Sequence, residues 1–389
     1  MKLKLKNTPE QVELIKAIGS KNSIVSREAQ EAFAAFLGPV IQKVILQAGT
    51  AGAIYSDSEY DDDDSPSYPL DLYYNEGAGY VTVWSQHMAG GLPSSEVTGV
   101  SEMKIATYRL DSAVSFNKRY ARRSRLEIIS RAVERMAQEV LVKQERNAWA
   151  VILKALAEGS TSLVSGTTLK HAFSSGAASG AHTFDLDMMN SLLTRMKRIG
   201  ESFAGGTPDP GNGFGITDLY ASPEVMEKLR SMSYQHISPT KGDTDVVSPA
   251  VTRSQVNNVT ENVRNEIWNS AGMASIWGVV LHELIEFGVG HKYNTLFDEM
   301  AGAATYTDAA GANALAFGAT DEILVGVDAS KDAFIRAIAR NADTGGTFQA
   351  LPDDQWNLNR LDKAGFYGSL DEGRVCIDSR AVAGLILKA

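Results

Sequence analysis

The chain has 389 residues, 44% hydrophobic and 22% charged, the profile of a water-soluble globular protein with material for two or three structural units. Its formal net charge of −10 excludes a global basic surface for wrapping nucleic acid, and its single cysteine, Cys376, excludes a disulfide framework or a Cys-rich metal site. The basic start MKLKLKNTPEQ lacks the apolar core of a secretory signal and no apolar run reaches spanning length, so a soluble product made in a cytoplasm is expected.

Two helices are expected in the N-terminal region. Thr8-Pro9-Glu10-Gln11 offers an N-cap, a first-turn proline and a capping-box partner. Ser26 begins a second helix with Phe33, Phe36, Leu37, Val40 and Val44 at helical spacing, which Gly38-Pro39 should kink or interrupt. The run SDSEYDDDDSPSYP follows. Its aspartates Asp61, Asp62, Asp63 and Asp64 lack the alternating ligands, glycine turn and distal glutamate of a calcium loop, so a solvated acidic linker is expected.

A long β-hairpin comes next. YVTVWSQ supplies one strand; the other is KIATYRLDSAVSFNK, with Ala106, Tyr108, Leu110, Val114 and Phe116 alternating onto one face. Between them HMAGGLPSSEVTGVSEM is too long for a tight turn and reads as an extended tip. The strongest helix in the chain runs from Arg123 to Ala157, with Leu126, Ile129, Val133, Met136, Val140, Leu141, Trp149, Ile152 and Leu156 at steps of three and four. Such length is natural for a structural spine.

After a Gly/Ser/Ala-rich connection, Asp185 caps a helix carrying Leu186, Met189, Leu193, Met196 and Ile199. The strand ITDLYAS leads into a helix started by Ser222-Pro223-Glu224, and polar sequence to about residue 258 reads as a loop. A helix at TENVRNEIWNS, strands at EILVGVDAS and AFIRAIAR, and the ending RVCIDSRAVAGLILK complete the pattern. Cys376, in an alternating run there, is expected to be a buried small hydrophobe.

The stretch IWGVVLHELIEFGVGHKYN imitates a zinc protease. A zincin sets two histidines four residues apart on one helix face, whereas the residue four beyond His282 is Glu286. The glycines and apolar continuity favour a buried extended strand, in which His282 and Glu286 lie about 13 Å apart and share no metal. A hydrolase using His282, Glu283 and Glu286 is therefore the unfavoured alternative. No phosphate loop, nucleophile elbow or dinucleotide fingerprint occurs, and the six histidines form no ligand-spaced pair. No catalytic, cofactor or metal residue is assigned, and the chain reads as a non-enzyme.

One constellation remains. Lys118, Arg119, Arg122, Arg123 and Arg125 crowd the junction of hairpin and long helix. Clustered arginines suit phosphates, an exposed helix start, or an acidic patch on a neighbouring copy such as Asp61 to Asp64. Positive charge at a helix N-terminus opposes the macrodipole, which favours a partner and hence the contact between copies.

The order of these parts resembles the major capsid protein of tailed bacteriophages, with the Hong Kong 97 fold. DLYASPEVMEKLRSM resembles that family's axial-domain strand and following helix, IWGVVLHELIEFGVG its strand opening on an aromatic-glycine pair, and LDEGRVCIDSRAVAGLILK its ending. The resemblance covers most of residues 75 to 389, and the first 60 match less clearly. It implies an α+β fold with an N-terminal arm and acidic linker (1–75), an extended hairpin loop (76–121), a spine helix and connection (122–182), an axial domain with part of the peripheral domain (183–365) and a C-terminal strand (366–389). It further implies hexamers and pentamers closing into an icosahedral virion shell, assembled in the host cytoplasm around double-stranded DNA contacted non-specifically. Portal and decoration proteins are implied partners, with no membrane. No long charged coiled-coil segment occurs near the N-terminus, so a separate scaffolding protein is expected. A cellular nanocompartment of the encapsulin type, with the same fold, is the alternative among structural proteins.

Overall fold

The structure is a computed structural model and describes residues 8–47, 49–61, 65–69, 102–123, 126–162, 166–174, 184, 186–199, 215–234, 275–307, 314–330, 332–340, 347–353 and 361–387. The expected strand YVTVWSQ, the hairpin tip up to residue 101, the polar stretch from residue 235 to 258 and the helix TENVRNEIWNS lie outside these residues.

Seven helices are described: α1 Pro9–Ile18, α2 Ser23–Gln47, α3 Lys118–Arg122, α4 Leu126–Glu158, α5 Leu186–Ile199, α6 Pro223–Tyr234 and α7 Lys292–Ala301. The strands of the first half are β1 Ser56–Asp61, β2 Ser67–Pro69, β3 Glu102–Lys104, β4 Thr107–Asn117, β5 Ser160–Ser162, β6 Thr168–Lys170, β7 Ala172–Ser174 and β8 Asp218–Ala221. Those of the second are β9 Ser275–Ile276, β10 Val279–Glu283, β11 Thr305–Thr307, β12 Ala314–Ala316, β13 Glu322–Val327, β14 Phe334–Arg340, β15 Gln349–Pro352, β16 Lys363–Cys376 and β17 Val382–Leu387. The fold is α+β, as expected.

The chain divides into two compact units. The first comprises Met1–Tyr73, Gly99–Trp149 and Phe334–Val375; the second comprises Tyr74–Thr98, Ala150–Ala333 and Cys376–Ala389.

The first unit is built on a sheet ordered β1-β14-β16-β15, with β4 also paired to β16. β4 runs antiparallel to β16 over eleven residue pairs, from Asn117 opposite Lys363 to Thr107 opposite Gly373. Its side chains alternate as expected: Tyr108, Leu110 and Val114 are half-buried and Phe116 is buried. Ala106 breaks the pattern, being exposed, because β4 begins at Thr107 and Ile105 takes the buried place. Onto this sheet pack α1, α2 and the first part of α4, through Ile15, Phe33, Ile129, Val133, Met136 and Val140. Phe366 is the aromatic hub, with ring centroids 5.1 Å from Phe33 and 6.0 Å from Phe116. Burying side chains of this size contributes about 1.5–3 kcal/mol each, the main force holding the arm helices down.

Several expectations change here. α2 starts at Ser23 and is continuous through Gly38-Pro39, with no interruption. Phe36 is 45% exposed, on the outer side of that helix. Thr8 has the extended backbone of an N-cap, yet its side chain makes no capping hydrogen bond. The supposed linker begins as a strand: β1 pairs in parallel with β14 and ends at Asp61, while Asp62, Asp63 and Asp64 lie outside the described residues. The long helix starts at Leu126, after the separate short helix α3, and its 33 residues reach about 50 Å at ~1.5 Å per residue.

The second unit holds a six-stranded mixed sheet in the order β7-β17-β13-β8-β10-β9. β13 is buried along its whole length, which explains its unbroken apolar sequence. It pairs antiparallel with β17 and with β8. α5 and α6 cover the sheet with Met189, Leu192, Met196, Ile199, Val225 and Leu229. Ser222 accepts a hydrogen bond from the backbone N–H of Val225 at 3.2 Å, so α6 has the serine cap and first-turn proline that its sequence requires. The C-terminal segment, expected as one strand, is two: β16 belongs to the first sheet and β17 to the second, separated by Ile377 to Ala381. Asp378, accepting from the Arg380 backbone, supplies the turn that divides them.

Candidate functional site

The zinc-like stretch folds as a hairpin followed by a turn. β9 and β10 are joined by Trp277 and Gly278, both with positive φ, at 54° and 83°. β10 is half-buried, with Val279 and Leu281 inside and Val280 outside, and it stops at Glu283. The longer buried strand expected through Phe287 is not formed. Gly288 and Gly290, at φ of 114° and 75°, turn the chain into α7 and leave Ile285 74% exposed.

His282 is on β10, opposite Tyr220 of β8, with the two rings stacked at 4.8 Å. Its Nε2 lies 2.7 Å from an Asp218 carboxylate oxygen; the carboxylate accepts, so Nε2 carries the hydrogen. The other Asp218 oxygen accepts from Thr217 at 2.7 Å. Glu283 projects from the opposite face toward Arg230, 3.9 Å away, and Glu286 sits in the turn, its carbonyl accepting from Tyr293. Among the described residues no three of His, Cys, Asp and Glu are grouped to hold a metal ion. The pair His282–Asp218 ties β10 to β8 as a half-buried polar contact.

Trp277 is the strained residue of this hairpin, since a bulky side chain at positive φ costs roughly 1–2 kcal/mol. It is 56% exposed, so little packing offsets that cost. Trp277→Asn, which creates the Asn-Gly turn preferred in tight hairpins, is expected to raise the urea unfolding free energy by about 1 kcal/mol. A loss of stability would show that the indole is anchored more strongly than its exposure implies.

The basic cluster divides by environment. Lys118 is buried, its Nζ donating to Ser26 at 3.3 Å, and Arg122 donates to the Gly19 carbonyl at 2.8 Å and to Asp362 at 3.0 Å. Both tie α3 to neighbouring parts of the first unit. Arg119 and Arg123 are exposed, and Arg125 is outside the described residues. The macrodipole does not oppose this cluster as expected. Arg119 and Arg122 occupy the last turn of α3, where positive charge is favourable.

Sequence periodicity gave no warning of a buried polar cluster around Glu372. Glu372, fully buried on β16, accepts from Tyr108 at 2.7 Å and from Gln144 at 2.9 Å, and both its oxygens lie 3.3 Å from Arg374. Arg374 lies over the Tyr55 ring, 4.9 Å from its centroid, and Tyr55 donates to the Ala148 carbonyl at 2.9 Å. Burial, with the Glu372 charge second, pushes the Tyr108 phenol well above its ordinary range, so it stays a hydrogen donor. Nearby, Arg336 forms two hydrogen bonds to Asp57, and Glu145 accepts from Thr50 and from the Ala51 backbone. Asp57, Gln144, Glu145, Arg336 and Arg374 line a polar cavity of about 70 Å³, room for roughly two waters. The cluster pins the spine helix to the sheet and to the segment before β1. The one signal in the sequence was Glu372-x-Arg374, opposite charges two apart and hence on one strand face.

In the second unit, Cys376 lines a cleft of about 620 Å³ with Ala150, Val151, Met300 and Ile377. It is half-buried where full burial was expected, and burial with Asp378 second pushes its thiol up to about 12, so it remains protonated. His171 is fully buried, its Nε2 2.8 Å from the Thr161 hydroxyl. A Cβ at Gly159 would come within 2.4 Å of its Nδ1, so only glycine lets the ring lie against the end of α4.

No protein-family model matches the chain, and no curated protein sequence matches it. Among solved structures it is similar to the capsid of cyanophage P-SCSP1u, at 13% identity over 88% of each chain, with a TM-score of 0.45. It is similar to a chain of Microbacterium phage Oxtober96 at 12% identity, covering 88% of this chain and 91% of that one, with a TM-score of 0.46. The SrpI encapsulin of Synechococcus elongatus is also similar, at 10% identity over 73% of this chain and 75% of that one, with a TM-score of 0.36. At identities this low, function rests on the chain's own residues.

Proposed function

We propose that the chain is the major capsid protein of a tailed bacteriophage, assembling as hexamers and pentamers into an icosahedral shell around double-stranded DNA. The observation that carries this reading is the order of parts. Arm helices α1 and α2 are followed by a long insertion, the eleven-residue strand β4 and the 33-residue helix α4, and the chain then builds a separate α/β unit before returning to its first sheet. In this reading the first unit is the peripheral domain with its arm, the second is the axial domain, and the segment before β4 is the extended loop laid on a neighbour.

Surface chemistry supports association. Trp277, Val280, Ile285 and Val289 expose apolar area on the second unit, and Leu351 and Leu361 do so on the first. Exposed large apolar side chains of this kind are what an interface between copies would cover. The exposed Arg119 and Arg123 and the acidic end of β1 at Asp61 are the members of the charged runs offered to neighbouring copies. The net charge of −10 suits a shell that encloses a polyanion without gripping it. A separate scaffolding protein, a portal and decoration proteins are the further partners of this reading, and the virion is its location.

The test is light scattering, combined with nuclease protection, on particles purified from cells that make the chain together with its partner proteins. Megadalton particles holding nuclease-resistant double-stranded DNA are the expected result. Particles of that size holding protein cargo would favour the nanocompartment, and a monomer would contradict both.

A further inference from the structure

We propose that a cleft in the second unit is an oxyanion socket that receives a carboxylate from an acidic side chain of a second copy of the chain. The cleft encloses about 390 Å³. Leu169 and Phe173 form its apolar part, and Asn190, Ser191, Arg195 and Arg198 are among its polar lining.

Arg195 is the reason for the assignment. Its Nε donates to the Lys170 carbonyl at 3.0 Å, its Nη2 donates to the Thr307 hydroxyl at 3.2 Å, and its guanidinium lies 5.4 Å from the Phe173 centroid. Every one of these partners is neutral. Among the described residues no carboxylate pairs with it. Other arginines in comparable settings do have one: Arg336 has Asp57, Arg374 has Glu372, Arg380 has Asp378 and Arg122 has Asp362. A partly buried cation without a counter-charge is costly, and burial accordingly pulls the Arg195 guanidinium down to about 10. The carbonyl, the hydroxyl and the ring hold the fork in one orientation and leave donors over for a ligand. Arg198, three residues on along α5, lines the same cleft. Pre-oriented guanidinium beside apolar surface suits a carboxylate on a short apolar stem.

The occupant follows from composition. With 47 acidic against 37 basic residues, a second copy presents an excess of carboxylates, complementary in charge to the socket. The inference rests on the proposed self-assembly and adds the residue that makes one contact in it.

The experiment places a benzoylphenylalanine photocrosslinker at Asn190, exposed on the rim, in the full-length chain. Isotopically labelled and unlabelled copies are mixed, assembled and irradiated, and the crosslinked peptides are mapped by mass spectrometry. Crosslinks between copies, to a peptide segment containing Asp or Glu, are expected. Crosslinks to nucleic acid, or assembled particles with no crosslink between copies, would overturn the socket. In parallel, Arg195→Gln is expected to raise the concentration needed for assembly about tenfold, with Arg195→Lys intermediate and far-UV circular dichroism unchanged. Assembly of Arg195→Gln at the unaltered concentration would overturn the socket alone. Failure of the unaltered chain to assemble would overturn the shell reading and the socket with it. Should Arg195→Gln misfold, the crosslink map decides.

Discussion

Replacing Glu372 with leucine should destabilise the first unit by about 3–5 kcal/mol, the usual cost of removing one partner from a buried ion pair. The carboxylate is fully buried and satisfies Tyr108, Gln144 and Arg374 together. Without it the Arg374 guanidinium, its side chain 4% exposed, keeps Tyr55 but loses its ion-pair partner, and the Tyr108 hydroxyl loses its acceptor. Hydrogen exchange of peptides from β4 and β16 in the unassembled subunit measures the loss locally, without assuming that the two units unfold together. The double change Glu372→Leu with Arg374→Met should recover much of it, because two apolar groups replace two charges. A loss below about 1 kcal/mol for Glu372→Leu would show that water reaches this cluster.

Acid should weaken the second unit through His171, the second large effect. Burial holds the imidazole down at about 4, against about 6.5 when unfolded. Between those values the unfolded chain binds more protons than the folded one, so stability falls as pH drops. The contribution is complete above about pH 6.5 and is lost by about pH 4, on the order of 3 kcal/mol in all. Asp378 opposes this shift, while Arg195 and Arg380 reinforce it. Comparing urea midpoints of the unaltered chain and His171→Gln at pH 7 and pH 4.5 isolates the histidine from the carboxylates that titrate in both. Equal acid losses would contradict the assignment.

The parts legible in the sequence were those set by local periodicity. The steps of Val133, Met136 and Val140 gave the spine helix because one face of α4 is buried, and the alternation of Tyr108, Leu110, Val114 and Phe116 gave β4 because one face of that strand is buried. Ser222-Pro223 marked the start of α6 through capping chemistry alone. What stayed hidden depends on contacts between distant residues. Tyr108 and Glu372 are 264 positions apart and Gln144 and Glu372 are 228, so no window contains the buried cluster. The basic run was visible as charge, but that Lys118 and Arg122 turn inward to Ser26 and Asp362 while Arg119 stays outside depends on the break between α3 and α4. Arg195 had a faint signal, since it lies three residues from buried Leu192 on the inward side of α5.

The central claim is that copies of this chain close into a shell, and negative-stain microscopy of the purified chain tests it most directly. Closed icosahedral particles with capsomers at five-fold and six-fold positions are the predicted result. A field of discrete small monomers, under conditions where both units are folded, would contradict it.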